Sequence, residues 1–154
     1  MEKKGVFYKL YEIQAGSYYQ FLSHLKSLVH TSKQHKRSLC LAMFSIQNLA
    51  ILGQIETRKD LEDVIYEFGL GLGLLLRESD TCHYDSEYRW WVIMNETSLS
   101  TAKTFCSRLQ LFLRSVHFGP FSGEDLDVQC SVVHAHAKES AKELMDRALG
   151  VVKK

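Results

Sequence analysis

No uninterrupted apolar run in this sequence reaches about 18 residues, so no segment of it reads as a membrane-spanning helix. Met1-Glu2-Lys3-Lys4-Gly5 is not followed by a secretory apolar segment with a small-residue cleavage site. There is no Pro-rich linker, internal repeat or low-complexity tract to divide the chain. The four cysteines, Cys40, Cys82, Cys106 and Cys130, form no CxxC pair and sit mostly within apolar runs, as reduced core thiols do. A formal net charge of +1 supplies no global field for nucleic acid or an anionic membrane, so recognition has to be local. Together these absences point to a cytoplasmic, reducing setting without membrane insertion or nucleic-acid binding.

What remains is ordinary globular composition. A length of 154 residues, with 45% hydrophobic and 24% charged residues, suits one domain with a full core. Residues 1–16 read as an N-terminal arm, extended over Val6 to Ile13, and residues 17–154 as the domain. Phe21, Leu22, Leu25, Leu28 and Val29 recur at helical spacing. Lys33, His35, Lys36 and Arg37 then form a basic segment without interleaved aromatics, which favours a solvated loop over a nucleic-acid contact. Leu39 to Phe44 is a short apolar run between polar flanks, the pattern of a buried strand.

Leu61, Val64, Ile65, Phe68, Leu72 and Leu75 make the stripe of a long helix, although Gly69, Gly71 and Gly73 each cost roughly 1 kcal/mol there against alanine. Close helix approach is the simplest reason to keep them. Tyr84 to Glu87 reads as a hairpin turn into a central strand, Tyr88 to Met94. Leu99, Ala102, Cys106, Leu109 and Leu113 mark another helix, and a turn at Gly119-Pro120 precedes a strand over Val128 to His134. Ser140 and Glu143 are spaced as a capping box opening a terminal helix with Leu144, Met145, Ala148 and Val152 inward. Helices and strands in this order predict an α/β (α+β) sandwich with helices covering a central sheet.

The element order and the block from Leu41 to Met94 resemble the GGDEF family, the diguanylate cyclases that make cyclic di-GMP from two GTP molecules. The likeness spans the chain from about Phe21 to its end, with Leu144, Arg147 and Ala148 in the place of the closing helix. It implies a nucleotidyl-cyclase-like fold, a central mixed sheet flanked by helices. It also implies a lost active site. Ser45 stands where the family has its first metal-binding aspartate, and Gln47 where it has the second. At the signature turn the glycines, acids and phenylalanine become Ser86, Glu87, Tyr88, Arg89 and Trp90. Side chains at Ser86 and Glu87 fill space that glycine leaves for substrate, and Arg89 offers a cation where magnesium needs a carboxylate. Gly53 and Gln54 replace guanine-contacting residues, while Glu62 keeps an acid. No catalytic residue, metal site or cofactor is therefore expected, magnesium included, and the chain reads as a non-enzyme.

Upstream of the signature, Arg77 and Asp80 match an RxxD pair that binds cyclic di-GMP as an inhibitory product in the family, and Arg108 matches the arginine on the next helix. Arginine can meet guanine O6 and N7 or stack on the base, and aspartate can accept from guanine N1–H and NH2. A surface ion pair at a helix end, worth about 0–1 kcal/mol, is the plainer account of Arg77 and Asp80. The expectation is a signalling receptor for cyclic di-GMP that transmits to an unidentified protein partner; a homodimer is compatible with it. The alternative is a nucleotide-independent interaction scaffold built on the altered turn, with one indole of Trp90 and Trp91 in the core and the other on a partner surface. His134 and His136 could face one side of a strand, but no third metal ligand accompanies them. Isolated packing or solvent histidines are the simpler reading there, as for His24, His30, His35, His83 and His117.

Overall fold

A computed structural model describes residues 17–52, 58–85 and 88–153. The N-terminal arm, Gly53, Gln54, Ser86 and Glu87 lie outside the described residues, as does the side chain of Val152. The elements in order are α1 (Ser17–Gln34), β1 (Leu39–Ile46), a short α2 (Leu49–Leu52), α3 (Arg58–Leu75), β2 (Thr81–Tyr84), β3 (Arg89–Asn95) and α4 (Leu99–Arg114). A small hairpin, β4 (His117–Phe118) and β5 (Phe121–Ser122), follows, then a 3-10 turn (Gly123–Asp125), β6 (Val128–His134) and α5 (Ala141–Lys153). The hairpin and α2 were not anticipated from the sequence. No helix among the described residues is long and apolar enough to cross a membrane.

The four larger strands form one sheet in the order β2-β3-β1-β6, and every neighbouring pair is antiparallel. All eight residues of β1 are buried, because both faces of this strand are covered. Strand side chains alternate between faces, so consecutive residues serve two separate cores. Cys40, Ala42, Phe44, Trp90 and Val92 pack against Val64 and Phe68 of α3 and Ala102 and Leu109 of α4. Leu39, Leu41, Met43, Trp91 and Ile93 pack against Phe21 and Leu25 of α1 and Leu144 and Ala148 of α5.

That double coverage corrects one expectation. Trp90 and Trp91 are both buried, at 1% and 2% exposure, so neither indole forms a partner surface. Trp90 lies 4.4 Å from the ring of Phe68 and 4.8 Å from that of Tyr84, on one face. Trp91 lies toward Phe21 on the other. The capping box is formed: the Ser140 hydroxyl accepts from Glu143 N–H at 3.1 Å, and the Glu143 carboxylate accepts from Ser140 N–H at 3.0 Å. Close approach does not require glycine at position 71, where an added Cβ would sit 3.5 Å from Leu113, an ordinary contact.

His83 is a packing residue. Its ring stacks on Phe21 at 4.9 Å between centroids, and its buried Nδ1 has no hydrogen-bond partner. Burial lowers its pKa, against a weaker opposing pull from Asp85. The folded protein therefore holds His83 neutral where the unfolded chain, with a histidine pKa of about 6.5, takes up a proton. Its contribution is complete above that value and is lost as pH falls toward the depressed folded pKa. Urea midpoints at pH 7.5 and 5.5 should fall more in the wild type than in His83→Phe; equal losses would refute the assignment.

Candidate functional site

Two places matter, the end of the central strands β1 and β3 where Ser45 meets Arg89, and the turn between α3 and β2. At the first, Ser45 near the end of β1 is the direct cross-strand partner of Arg89 at the start of β3. Ser45 is buried, and its hydroxyl accepts from Gln47 Nε2 at 2.5 Å. Gln47 is fixed in turn by its backbone N–H, which donates to Asp127 O at 2.9 Å. Arg89 Nε donates to Asp85 Oδ2 at 2.7 Å, and the indole N–H of Trp91 donates to the same oxygen at 2.9 Å. The cation expected at Arg89 is thus neutralised by Asp85, a residue the sequence reading had placed only in a turn. Tyr88 adopts a positive φ of 61° between these partners, and its N–H donates to the Tyr84 hydroxyl at 3.3 Å.

This donor set does not fit a hard divalent cation, which takes several carboxylate or carbonyl oxygens. Ser45 contributes a hydroxyl, Gln47 an amide, and the carboxylate of Asp85 is bound to a guanidinium. Among the described residues no group of three His, Cys, Asp or Glu side chains is placed to hold a metal ion. Glu62 pairs with Arg58 on the exposed surface of α3 at 3.4 Å. At the far end of β6, Arg147 holds Glu139 at 2.9 Å and donates to the His134 carbonyl, so the segment carrying His134 and His136 is tied down by an ion pair. A depression of about 460 Å³ near Asn48 is lined by Glu124, Asp125 and Asp127 with one cation, Arg114, a lining ill suited to a polyphosphate.

The second place is more ordered than a surface ion pair. Beyond α3 the chain turns, with Asp80 N–H donating to Arg77 O at 3.0 Å and the Asp80 carboxylate accepting from Arg77 N–H at 2.9 Å. The same carboxylate takes Arg77 Nε at 3.1 Å and Nη2 at 2.8 Å, a two-pronged fork. Nη2 also donates to Thr97 Oγ1 at 2.5 Å and to the Asn95 carbonyl at 3.3 Å, which ties the turn to the end of β3. The Asp80 side chain is 1% exposed and that of Arg77 47%. The hydrogen bond to Asp80 raises the Arg77 pKa, so the guanidinium stays charged. Asp80 in this arrangement faces Arg77, not solvent; the expected acceptor for a guanine is already engaged.

Thr97 leads directly into α4, whose N-cap Ser98 accepts from Thr101 N–H at 3.3 Å. Ser100, Thr101, Thr104, Phe105 and Arg108 line a depression of about 290 Å³ on this helix. Arg108 is exposed there, about 15 Å along the helix from Ser98 at 1.5 Å per residue. Arg77 and Asp80 are therefore joined, while Arg108 lies on the neighbouring α4 at the end of a face rich in hydroxyl groups. Thr97, the Asn95 carbonyl and Phe105 were not singled out from the sequence. The one local signal was the polar run Asn95-Glu96-Thr97-Ser98 before the α4 stripe.

No known family model matches the sequence, and neither does any curated protein. Solved structures do. The GGDEF domain of YfiN from Pseudomonas aeruginosa matches with a TM-score of 0.81 at 11% identity, over 88% of this chain and 86% of that one. The GGDEF domain of DgcB from Caulobacter crescentus, in complex with cyclic di-GMP, matches at 0.78 and 14% identity over 86% and 78%. The diguanylate cyclase SiaD from Pseudomonas aeruginosa, in complex with its activator SiaC, matches at 0.79 and 20% identity over 87% of this chain and 52% of that one, about half its length. From the sheet order, the two-sided core and these superpositions, the chain has the fold of a GGDEF domain.

Proposed function

We propose that this protein is a GGDEF-fold receptor for cyclic di-GMP without cyclase activity, which passes the signal to a protein partner. The observation that carries the proposal is the anchoring of Arg77. Asp80 fixes its Nε and Nη2 edge, Thr97 and Asn95 hold it to the sheet, and nearly half of the side chain remains open to solvent. An arginine immobilised before a ligand arrives loses less side-chain entropy on binding. Among the described residues nothing engages Nη1, which can donate to guanine O6 or N7, and the planar face can stack on the base. Asp80 acts here as a positioning residue. Arg108 and the hydroxyls of Thr101 and Thr104 supply charge and donors for phosphate oxygens.

Several observations support the reading without cyclase chemistry. Ser45 replaces an acid, Arg89 opposite it is paired with Asp85, and neither change is mirrored at Arg77, Asp80 or Arg108. DgcB, of the same fold, was solved with cyclic di-GMP, and SiaD with a protein activator, which makes both kinds of partner reasonable. Binding should need no magnesium. Calorimetric titration with cyclic di-GMP in EDTA should give saturable heat. Arg77→Ala should weaken it about 10- to 150-fold, the ~1.5–3 kcal/mol of one hydrogen bond from a charged donor. Lys26→Ala, a change on the exposed side of α1, should leave it unaltered. Equal affinity for wild type and Arg77→Ala would reject the site, and formation of cyclic di-GMP from GTP with Mg²⁺ would reject the loss of catalysis.

A further inference from the structure

β2 forms one edge of the sheet, and its outer side is unpaired among the described residues. The register shows which groups are left over. Asp85 N–H donates to the Arg89 carbonyl at 3.1 Å, so Asp85 and Arg89 are a hydrogen-bonded pair. By the alternation of an antiparallel ladder, so are His83 with Trp91 and Thr81 with Ile93. The N–H and C=O groups of Cys82 and Tyr84 therefore point away from β3, and among the described residues no backbone group meets them. Burial makes this costly, because Cys82, His83 and Tyr84 are 4%, 2% and 6% exposed although they stand on an edge. Thr81 Oγ1 and His83 Nδ1, also on β2, are the only buried side-chain polar atoms without a partner among the described residues. The polar accounting of the fold is thus incomplete at this strand.

We propose that residues 6–13 of this chain, outside the described residues, pair with β2 as a fifth, parallel strand. The topology argues for this edge. β2 and β1 run parallel, because each is antiparallel to β3. β1 reaches β2 through α3, which covers the face of Phe44 and Trp90. α1 covers the opposite face and leads into β1. Its Phe21 stacks on His83, so α1 starts beside the C-terminal end of β2 and runs to the end where β1 begins. A strand before α1 then runs parallel to β1 and β2. Placed outside β2, its crossover to β1 travels in the opposite direction to the β1–α3–β2 crossover and over the opposite face. Reversing both preserves the hand, so the two crossovers obey the same right-handed rule. Placed outside β6, only the face would be reversed and the hand would be wrong. The lengths also fit. Residues 14–16 span up to about 10 Å between strand and helix, and eight extended residues run about 26 Å against about 13 Å for β2. Val6, Phe7, Tyr8, Tyr11 and Ile13 are β-branched or aromatic, and residues 6–13 hold no Pro or Gly. The added strand covers an edge that would otherwise template pairing with another chain. This inference is independent of cyclic di-GMP binding.

Amide hydrogen exchange followed by NMR on the whole 154-residue chain reads the edge directly. The Cys82 and Tyr84 amides should exchange about 100-fold or more slowly relative to an unstructured chain, with cross-strand proton contacts between residues 6–13 and Thr81 to Tyr84. The double variant Lys9→Pro/Leu10→Pro removes two successive N–H groups, one of which faces β2 in any register. Exchange at Cys82 and Tyr84 should then quicken at least about tenfold, while Leu41 and Val92 in the central strands keep their protection. Fast exchange of Cys82 and Tyr84 in the wild type would overturn the inference, as would protection that survives the two prolines. Protection that grows with protein concentration, with contacts between β2 strands of two copies, would give the edge to a second copy and overturn it as well.

Discussion

Gly123→Ala is expected to cost about 3 kcal/mol or more, at or beyond the upper range for overpacked sites. The residue sits where the small hairpin returns beneath the end of α4, and its N–H donates to the Val116 carbonyl at 2.7 Å. A Cβ at position 123 would stand 1.9 Å from the Leu113 carbonyl oxygen and 2.8 Å from that of Val116. Both obstacles are backbone, so no side-chain rotation relieves them; the hairpin must lift away from α4. Gly150, on α5, meets nothing within 4 Å, and alanine there should be neutral or stabilising by up to about 1 kcal/mol. Urea denaturation of the two variants gives the comparison. Equal midpoints for Gly123→Ala and wild type would show that the hairpin does not pack as described.

Asp85→Ala is expected to cost about 2–4 kcal/mol, because one carboxylate oxygen serves both Arg89 and Trp91. The Asp85 and Arg89 side chains are 12% and 24% exposed, so solvent replaces the lost partner poorly. The double variant Asp85→Ala/Arg89→Ala should recover part of the loss, since it no longer buries a guanidinium beside a missing acid. Denaturation midpoints, with a shift in tryptophan emission as the Trp91 N–H loses its acceptor, read both effects. A double variant no more stable than the additive sum of the two single changes would deny the coupling. The same geometry fixes the Arg89 charge within the protein, where Asp85 engages it.

Features that depend on a few neighbouring residues could be read from the sequence, and features that depend on two elements meeting could not. The Ser140 and Glu143 capping box is local chemistry and is formed as expected. The stripe of α3 as far as Leu72, that of α4 and the apolar run of β1 follow from periodicity, whereas Leu75, expected in the α3 stripe, is exposed. Which indole lies outside is another matter, since alternation places Trp90 and Trp91 on opposite faces but does not reveal that both faces are roofed. Asp85 gave no signal for its role, because its partners Arg89 and Trp91 lie across a turn. Arg77 and Asp80 were legible as a pair; the clamp by Thr97 was not, because it arises only when the α3 end meets the end of β3.

An amide chemical-shift map of the 154-residue protein titrated with cyclic di-GMP tests the central claim most directly. The account predicts saturable shifts over Arg77 to Asp80, Asn95 to Ser98 and the α4 face from Ser100 to Arg108, with little change at Ser45 or Gln47. Shifts gathered around Ser45, Asp85 and Arg89 with none at Arg77, or no shift at all at millimolar ligand, would contradict it.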